Sequence, residues 1–166
     1  MKILGLHSGH DCSFCILEDG IPTFHAELER YIREIQPKGD AIQFFFDECE
    51  THDDINYFTH TTDISEGGIS KRHANTFDKM NKIVKENGGS YFEPGHHQSH
   101  AANAFFSSNY DDALIVTIDG GGPDPDPNSK KVKICTFTIW KGKGNKIYPI
   151  AYLTEDINNI LSLIHI

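Results

Sequence analysis

The chain has 166 residues and a formal charge of −9, from 15 Lys+Arg against 24 Asp+Glu, with 38 % hydrophobic and 23 % charged residues. This is ordinary globular composition, which excludes disorder, collagen and coiled coil, and the length suits one domain. The acidic balance, with no Lys/Arg cluster to offset it, argues against a nucleic-acid partner. No run reaches the ~18 apolar residues that span a bilayer, so no membrane partner is expected. The start, Met1-Lys2-Ile3-Leu4-Gly5, turns polar too early for a signal peptide, and the expected location is cytoplasmic.

In chain order, Ile3-Leu4-Gly5-Leu6 and Phe14 to Leu17 read as strands. Asp19-Gly20 signals a hairpin turn, and Ile21 to Ala26 is the returning strand, with Pro22 suited to a strand start or an edge. Glu27 to Arg33 is charged and favours helix; the default for such a run is a solvated face with i,i+3 or i,i+4 pairs. Pro37-Lys38-Gly39-Asp40 is a loop. Asp40 then stands as N-cap of a helix over Ala41 to Cys49.

Ile55 to Thr59 looks like a strand. A helix over about Lys71 to Glu86 carries Phe77, Met80, Ile83 and Val84 on one stripe and stops at Gly88-Gly89. Another helix runs from His96 to Phe106. Ala113 to Ile118, apolar and β-branched, predicts a strand buried on both faces. It ends in Asp119-Gly120-Gly121-Gly122, and Pro123 to Asn128 reads as a rigid loop or linker. Val132 to Trp140 and Ile147 to Leu153 form a hairpin around Gly142 to Asn145. The class is α/β, a mixed sheet with hairpins at its N-terminal and C-terminal ends and flanking helices. Residues 159–166 form a short apolar tail without cap or stop signal, so they read as a truncated end or a scar.

Cys12 and Cys15 have C-x-x-C spacing, but they enter a strand and turn rather than opening a helix. With Cys49 and Cys135 standing alone, no second pair completes a zinc set, and core cysteines are the better reading.

Three constellations carry possible chemistry. In His96-His97-Gln98-Ser99-His100, the first and last imidazoles are one helical turn apart and project from one face, within reach of a single ion; His97 could pair with His100 instead. The plain alternative is an exposed polar helix end. Asp119, expected at the end of a buried strand, adds a carboxylate where α/β proteins place ligands, and Gly120, Gly121 and Gly122 would let phosphate approach the backbone. A simple Asp-Gly turn is the competing reading. Two His and one Asp make three protein ligands with open positions, a set that suits iron, zinc or manganese. Finally, Gly9-His10-Asp11-Cys12-Ser13 occupies the turn between the first two strands. His10 beside Asp11 offers a base or donor there, against the reading of a polar surface turn.

Ile3 to Leu6, His10 to Ser13, Asp19-Gly20, Glu27 to Arg33, His96-His97 through Ala102, Ala104-Phe105 and Asp119-Gly120-Gly121 fall in the order and spacing of the O-carbamoyltransferases, and up to about Leu153 the chain resembles that family. The resemblance implies the first half, residues 1–158, of an N-terminal carbamoyl-transfer domain. Its fold would be the ATPase type of actin, sugar kinases, heat-shock ATPases and tRNA threonylcarbamoyl-transfer proteins. It implies carbamoyl adenylate, made from carbamoyl phosphate and ATP in a separate C-terminal domain, as donor and a small-molecule hydroxyl as acceptor. His96, His100 and Asp119 match the family's metal ligands, and His10 and Asp11 match the turn that meets the transferred group.

Two departures stand out. Ile35 occupies a position usually basic, where Lys38 could substitute. The second half of the domain, with a further Asp ligand, and the adenylate-forming domain have no counterpart, so the 166 residues alone are expected to be inactive. A non-catalytic metal-binding or assembly module and a sugar-kinase-like phosphotransferase stay open. The latter is weakened by a first turn that reads Gly9-His10-Asp11.

Overall fold

A computed structural model describes residues 1–62, 74–125 and 132–153. It divides into two compact units, Met1–Glu93 and Pro94–Ile166.

The first unit is built on a five-stranded sheet in the order β3-β2-β1-β4-β5, from β1 (Lys2–Ser8), β2 (Ser13–Glu18), β3 (Ile21–Glu27), β4 (Tyr57–Thr62) and β5 (Ser90–Phe92). β1 pairs antiparallel with β2 and parallel with β4, so the sheet is mixed. The Asp19-Gly20 hairpin forms as expected, with both residues at positive φ. The short helix α1 (Leu28–Ile32) follows β3 and ends on Arg33 in the left-handed region.

Helix α2 (Ala41–Glu48) begins at Asp40, whose carboxylate accepts from Ile42 N and Gln43 N. Its buried face, Ala41, Ile42, Phe44 and Phe45, packs on β1 and β2. Helix α3 (Ala74–Glu86) adds Met80 and Val84. With Leu4, Leu6, Phe14 and Phe58 these residues form one apolar core. The expected helix start at Lys71 lies outside the described residues. β5 is too short for periodicity to announce, and the strand expected from Ile55 begins instead at Tyr57.

In the second unit, helix α4 (His96–Phe106) covers one face of a separate antiparallel sheet, β6 (Asp112–Pro125), β7 (Val132–Lys143) and β8 (Lys146–Leu153), in that order. The C-terminal hairpin therefore belongs to this second sheet and is not an end of the first.

Two expectations for β6 are corrected. The stretch from Ala113 to Ile118 is not buried on both faces. Ile115 and Thr117 are buried beneath α4, while Leu114, Val116 and Ile118 are 64 %, 48 % and 77 % exposed, because among the described residues only one face of the sheet is covered. Nor does Pro123 open a loop: Pro123, Asp124 and Pro125 continue β6 opposite Ile134, Lys133 and Val132. Proline is tolerated there because, among the described residues, β6 has a neighbour on one side only and needs no amide on the other. Residues 126–128 of that expected loop lie outside the described residues, as does the 159–166 tail.

Ala101 and Phe105 of α4 pack on Ile115 and Trp140. Gly142 makes the fit possible, since a Cβ there would lie 2.5 Å from the Phe105 ring. All four cysteines are free thiols. Among the described residues no helix is long and apolar enough to cross a membrane.

Candidate metal centre

Helix α4 starts where the polypeptide gives it little help. Its N-cap is Gly95, which has no side chain to accept from the first-turn amides. Gln98 reaches back to accept from Gly95 N at 3.2 Å. The missing cap comes from β6: Asp124, fully buried, accepts from His97 N at 3.0 Å and Gln98 N at 3.2 Å. Sequence reasoning missed Asp124 because it read the Pro-Asp-Pro run as a loop. A glycine at an N-cap position was the signal that the cap must come from elsewhere.

From that start, His96 and His100 lie on one face with their Nε2 atoms 3.2 Å apart. Asp119 is delivered to them by an irregularity in the sheet. Ile118 pairs with Phe137 and Gly122 with Cys135, so Asp119, Gly120 and Gly121 together face Thr136 alone. Such a bulge bends the strand and re-aims its side chains. Gly121 carries the bend with φ near 133°, a conformation closed to most L residues. Asp119 thus sits in a mid-strand bulge and not at the strand end expected from the sequence.

One Asp119 oxygen, Oδ2, is hydrogen-bonded to His96 Nε2 and lies 3.3 Å from His100 Nε2. The other accepts from Gly120 N at 2.5 Å. The ligand atoms of His96, His100 and Asp119 all lie within 4.8 Å of one another. Atoms that share one ion at about 2.1 Å stand roughly 3.0–3.4 Å apart for octahedral to tetrahedral angles; the His96–His100 and His100–Asp119 pairs have that spacing, and His96 and Asp119, now hydrogen-bonded to each other, would part slightly to admit a cation. Among the described residues the set would offer a cation three protein donors, the number found in reactive rather than structural sites.

Partial burial alone would raise the Asp119 carboxyl. The hydrogen bonds from His96 and Gly120 N, and the charge of both imidazoles, outweigh it and hold the group below the ordinary carboxylate range. A ligand that stays ionised is ready for a metal.

The three glycines differ in what they do. Gly120 has open space where a Cβ would stand. A Cβ on Gly122 would lie 2.0 Å from His96 Cγ, so its absence makes the seat for that ring. His97 takes no part in the cluster: its Nδ1 bonds Asp124 Oδ2 at 2.7 Å, and the ring is fully buried. The pairing of His97 with His100 is thereby corrected.

In the first unit, His10 and Asp11 occupy the turn from β1 to β2. Gly9 and Asp11 both have positive φ, and the turn is tied to the loop before α2 by reciprocal amide bonds between Gly9 and Gly39, at 3.0 and 3.1 Å. Gly39 keeps this approach close, because a Cβ would stand 2.7 Å from the Leu28 side chain and 2.9 Å from the Cys12 sulfur, and one of them would have to move. His10 Nδ1 lies 2.7 Å from Asp11 Oδ2, an imidazole–carboxylate pair about half exposed.

Sequence reasoning passed over His7. Its Nε2–H donates to the His10 carbonyl at 3.0 Å, and its Nδ1 accepts from the Thr61 hydroxyl at 2.8 Å, tying the turn to β4. Ile35 is 89 % exposed. Lys38, the possible substitute for a cation there, is also exposed.

No protein-family model matches the chain. The uncharacterized protein sll1178 of Synechocystis is 41 % identical over 54 residues, 32 % of this chain and 7 % of that protein. The uncharacterized protein MJ1051 of Methanocaldococcus jannaschii is 27 % identical over 123 residues, 72 % of this chain and 22 % of that one. A crystal structure of full-length HypF, in a phosphate- and nucleotide-bound form, aligns with 92 % of this chain and 22 % of its own at a TM-score of 0.55 and 18 % identity. That likeness shows the fold. The chain spans less than a quarter of the length of each of these proteins.

Proposed function

We propose that this chain is the metal-bearing part of an O-carbamoyltransferase, which moves a carbamoyl group from carbamoyl adenylate to an acceptor hydroxyl. The observation that carries the reading is the convergence of His96 and His100, from a helix, and Asp119, from a strand bulge, on one point. The order of motifs adds the reaction class, and HypF, whose matched part has this fold, was captured with phosphate and nucleotide bound.

A divalent ion in this set, iron, zinc or manganese, would supply Lewis-acid stabilisation of charge on phosphate or carbamoyl oxygens. The remaining work falls to side chains. Asp11 holds the His10 Nδ1–H and so directs the lone pair to Nε2. His10 Nε2 takes the proton of the acceptor hydroxyl as its oxygen bonds the carbamoyl carbon; the bond from that carbon to the adenylate oxygen breaks, and AMP departs with the electron pair. General-base assistance of this kind contributes about 10²–10⁴-fold. ATP, carbamoyl phosphate and the adenylate-forming step belong to a further domain. The 166 residues alone are therefore expected to show no micromolar binding of ATP by calorimetry.

The deciding experiment is metal analysis of the purified chain beside the His96→Ala/His100→Ala double variant. The wild type retains close to one equivalent of divalent metal and the variant retains none. Equal content in both sinks the metal centre. In a full-length relative built around this segment, His10→Ala removes transfer but leaves metal content unchanged. Loss of both would refute the division of roles.

A further inference from the structure

We infer that Asp124 is a positioning residue for the metal centre, clamping the first turn of α4 so that His96 and His100 face Asp119. The inference rests on the metal reading above and adds a residue that stands outside the ligand set.

The geometry makes the case in three steps. First, Asp124 is fully buried, and a buried carboxylate persists only where several donors compensate it. It receives His97 N on both oxygens, at 3.0 and 3.1 Å, Gln98 N at 3.2 Å and His97 Nδ1–H at 2.7 Å, and it lies at the positive end of an eleven-residue helix. Every one of those donors belongs to a residue adjacent to His96 or one further along.

Second, Asp124 and Asp119 lie on the same strand, five positions apart, across the bulge. One fixes the helix backbone while the other meets the helix side chains, so the strand grips α4 at two points. A helix held at its first turn cannot rotate about its axis or slide along it, the two movements that would separate the imidazoles from Asp119. Gly122, between the two carboxylates, gives the space in which the His96 ring stands.

Third, His97 is held as the Nδ1–H tautomer, because Nδ1 faces a carboxylate. Its Nε2 is buried with no hydrogen-bond partner among the described residues. That arrangement leaves an acceptor unsatisfied rather than a donor, the less costly of the two. His97 thus serves as the side-chain handle by which Asp124 grips the helix, with no call on its ring to bind an ion.

The test uses the whole 166-residue chain loaded with cobalt(II), whose visible spectrum reports ligand geometry. Asp124→Asn keeps the shape but loses the charge and one strong acceptor. The expected result is native far-ultraviolet dichroism, cobalt affinity weakened about 10–100-fold, as for other residues that orient ligands, and a shifted visible band. Thr138→Val, a buried change in the same unit but on β7, is the control. It should lower the melting temperature while leaving cobalt affinity and spectrum as in the wild type.

If Asp124→Asn matches the wild type in both affinity and spectrum, the positioning role is overturned while the metal centre stands. If the wild type itself binds no cobalt, the metal reading fails and the inference falls with it. Should Asp124→Asn not fold, Asp124→Ser carries the question, since it puts one neutral acceptor in place of two charged oxygens that take the helix amides and the His97 ring. Unchanged affinity and spectrum in that variant overturn the clamp.

Discussion

The two units solve the same problem, covering a sheet with helix, by opposite means. In the first, α2 and α3 meet the strands through a continuous apolar cluster in which Phe14, Phe45 and Phe58 are almost wholly buried. In the second, the buried cluster between α4 and its sheet is smaller, Ala101, Phe105, Ile115 and Trp140 with Ala113, Ile147 and Tyr152 packed against it, and polar contacts stand beside it. Within the sheet, the Thr117 and Thr138 hydroxyls bond at 2.6 Å and the Trp140 indole donates to Thr138, while Asp124 reaches across to cap the helix. Apolar packing is tolerant of small shifts, whereas hydrogen bonds specify position. Where His96, His100 and Asp119 come together, helix and strand are joined by the directional contacts of Asp124.

This contrast can be broken from either side. The largest effect is expected for Phe45→Ala, which should cost about 3–5 kcal/mol in the first unit. It should leave the metal content of the folded fraction unchanged, as read by denaturant titration beside metal analysis. Gly122→Ala should do the reverse. The added methyl displaces the His96 ring and weakens metal affinity by about 10–100-fold, with a far smaller change in the stability of the metal-free protein. Competition with a chelator measures the first and thermal melting the second.

Asp40→Ala removes the cap of α2 and should cost ~1 kcal/mol, again without effect on metal. Smallest at neutral pH is Cys12. Burial, with the Asp40 charge adding to it, pushes its thiol from 9.0 up to about 12. A group raised on folding contributes stability that is complete below its unfolded value and is lost as pH climbs through the folded one. The wild type should therefore lose stability between about pH 9 and 12 more steeply than Cys12→Ala, and Cys12 should resist alkylation at pH 8 until the chain unfolds. Matching pH slopes for the two proteins would contradict the burial argument.

Much of this architecture was legible before any coordinates. The limits of α4, the cap at Asp40 and the Asp19-Gly20 hairpin follow from local rules, and local rules held. The His96–His100 face follows from helical period alone. What escaped was non-local. Asp124 caps a helix 27 positions away, and no window along the chain contains both groups. The burial of Ala113 to Ile118 was misjudged because apolar residues on both faces say what a strand could bury, while only the packing says what is there to cover it. The bulge that aims Asp119 depends on β7 as much as on β6. His7, tied to Thr61 on a neighbouring strand, was hidden for the same reason.

The bulge has one more consequence. Among the described residues the fourteen of β6 lie at the margin of their sheet, and three of them carry exposed apolar side chains, conditions that invite another chain to add itself amide by amide. Three residues facing one break the straight row of donors and acceptors, and Pro123 and Pro125 beyond the break have no amide hydrogen to offer. The departure from regularity that turns a carboxylate toward two imidazoles also shortens the template on which fibrils could grow.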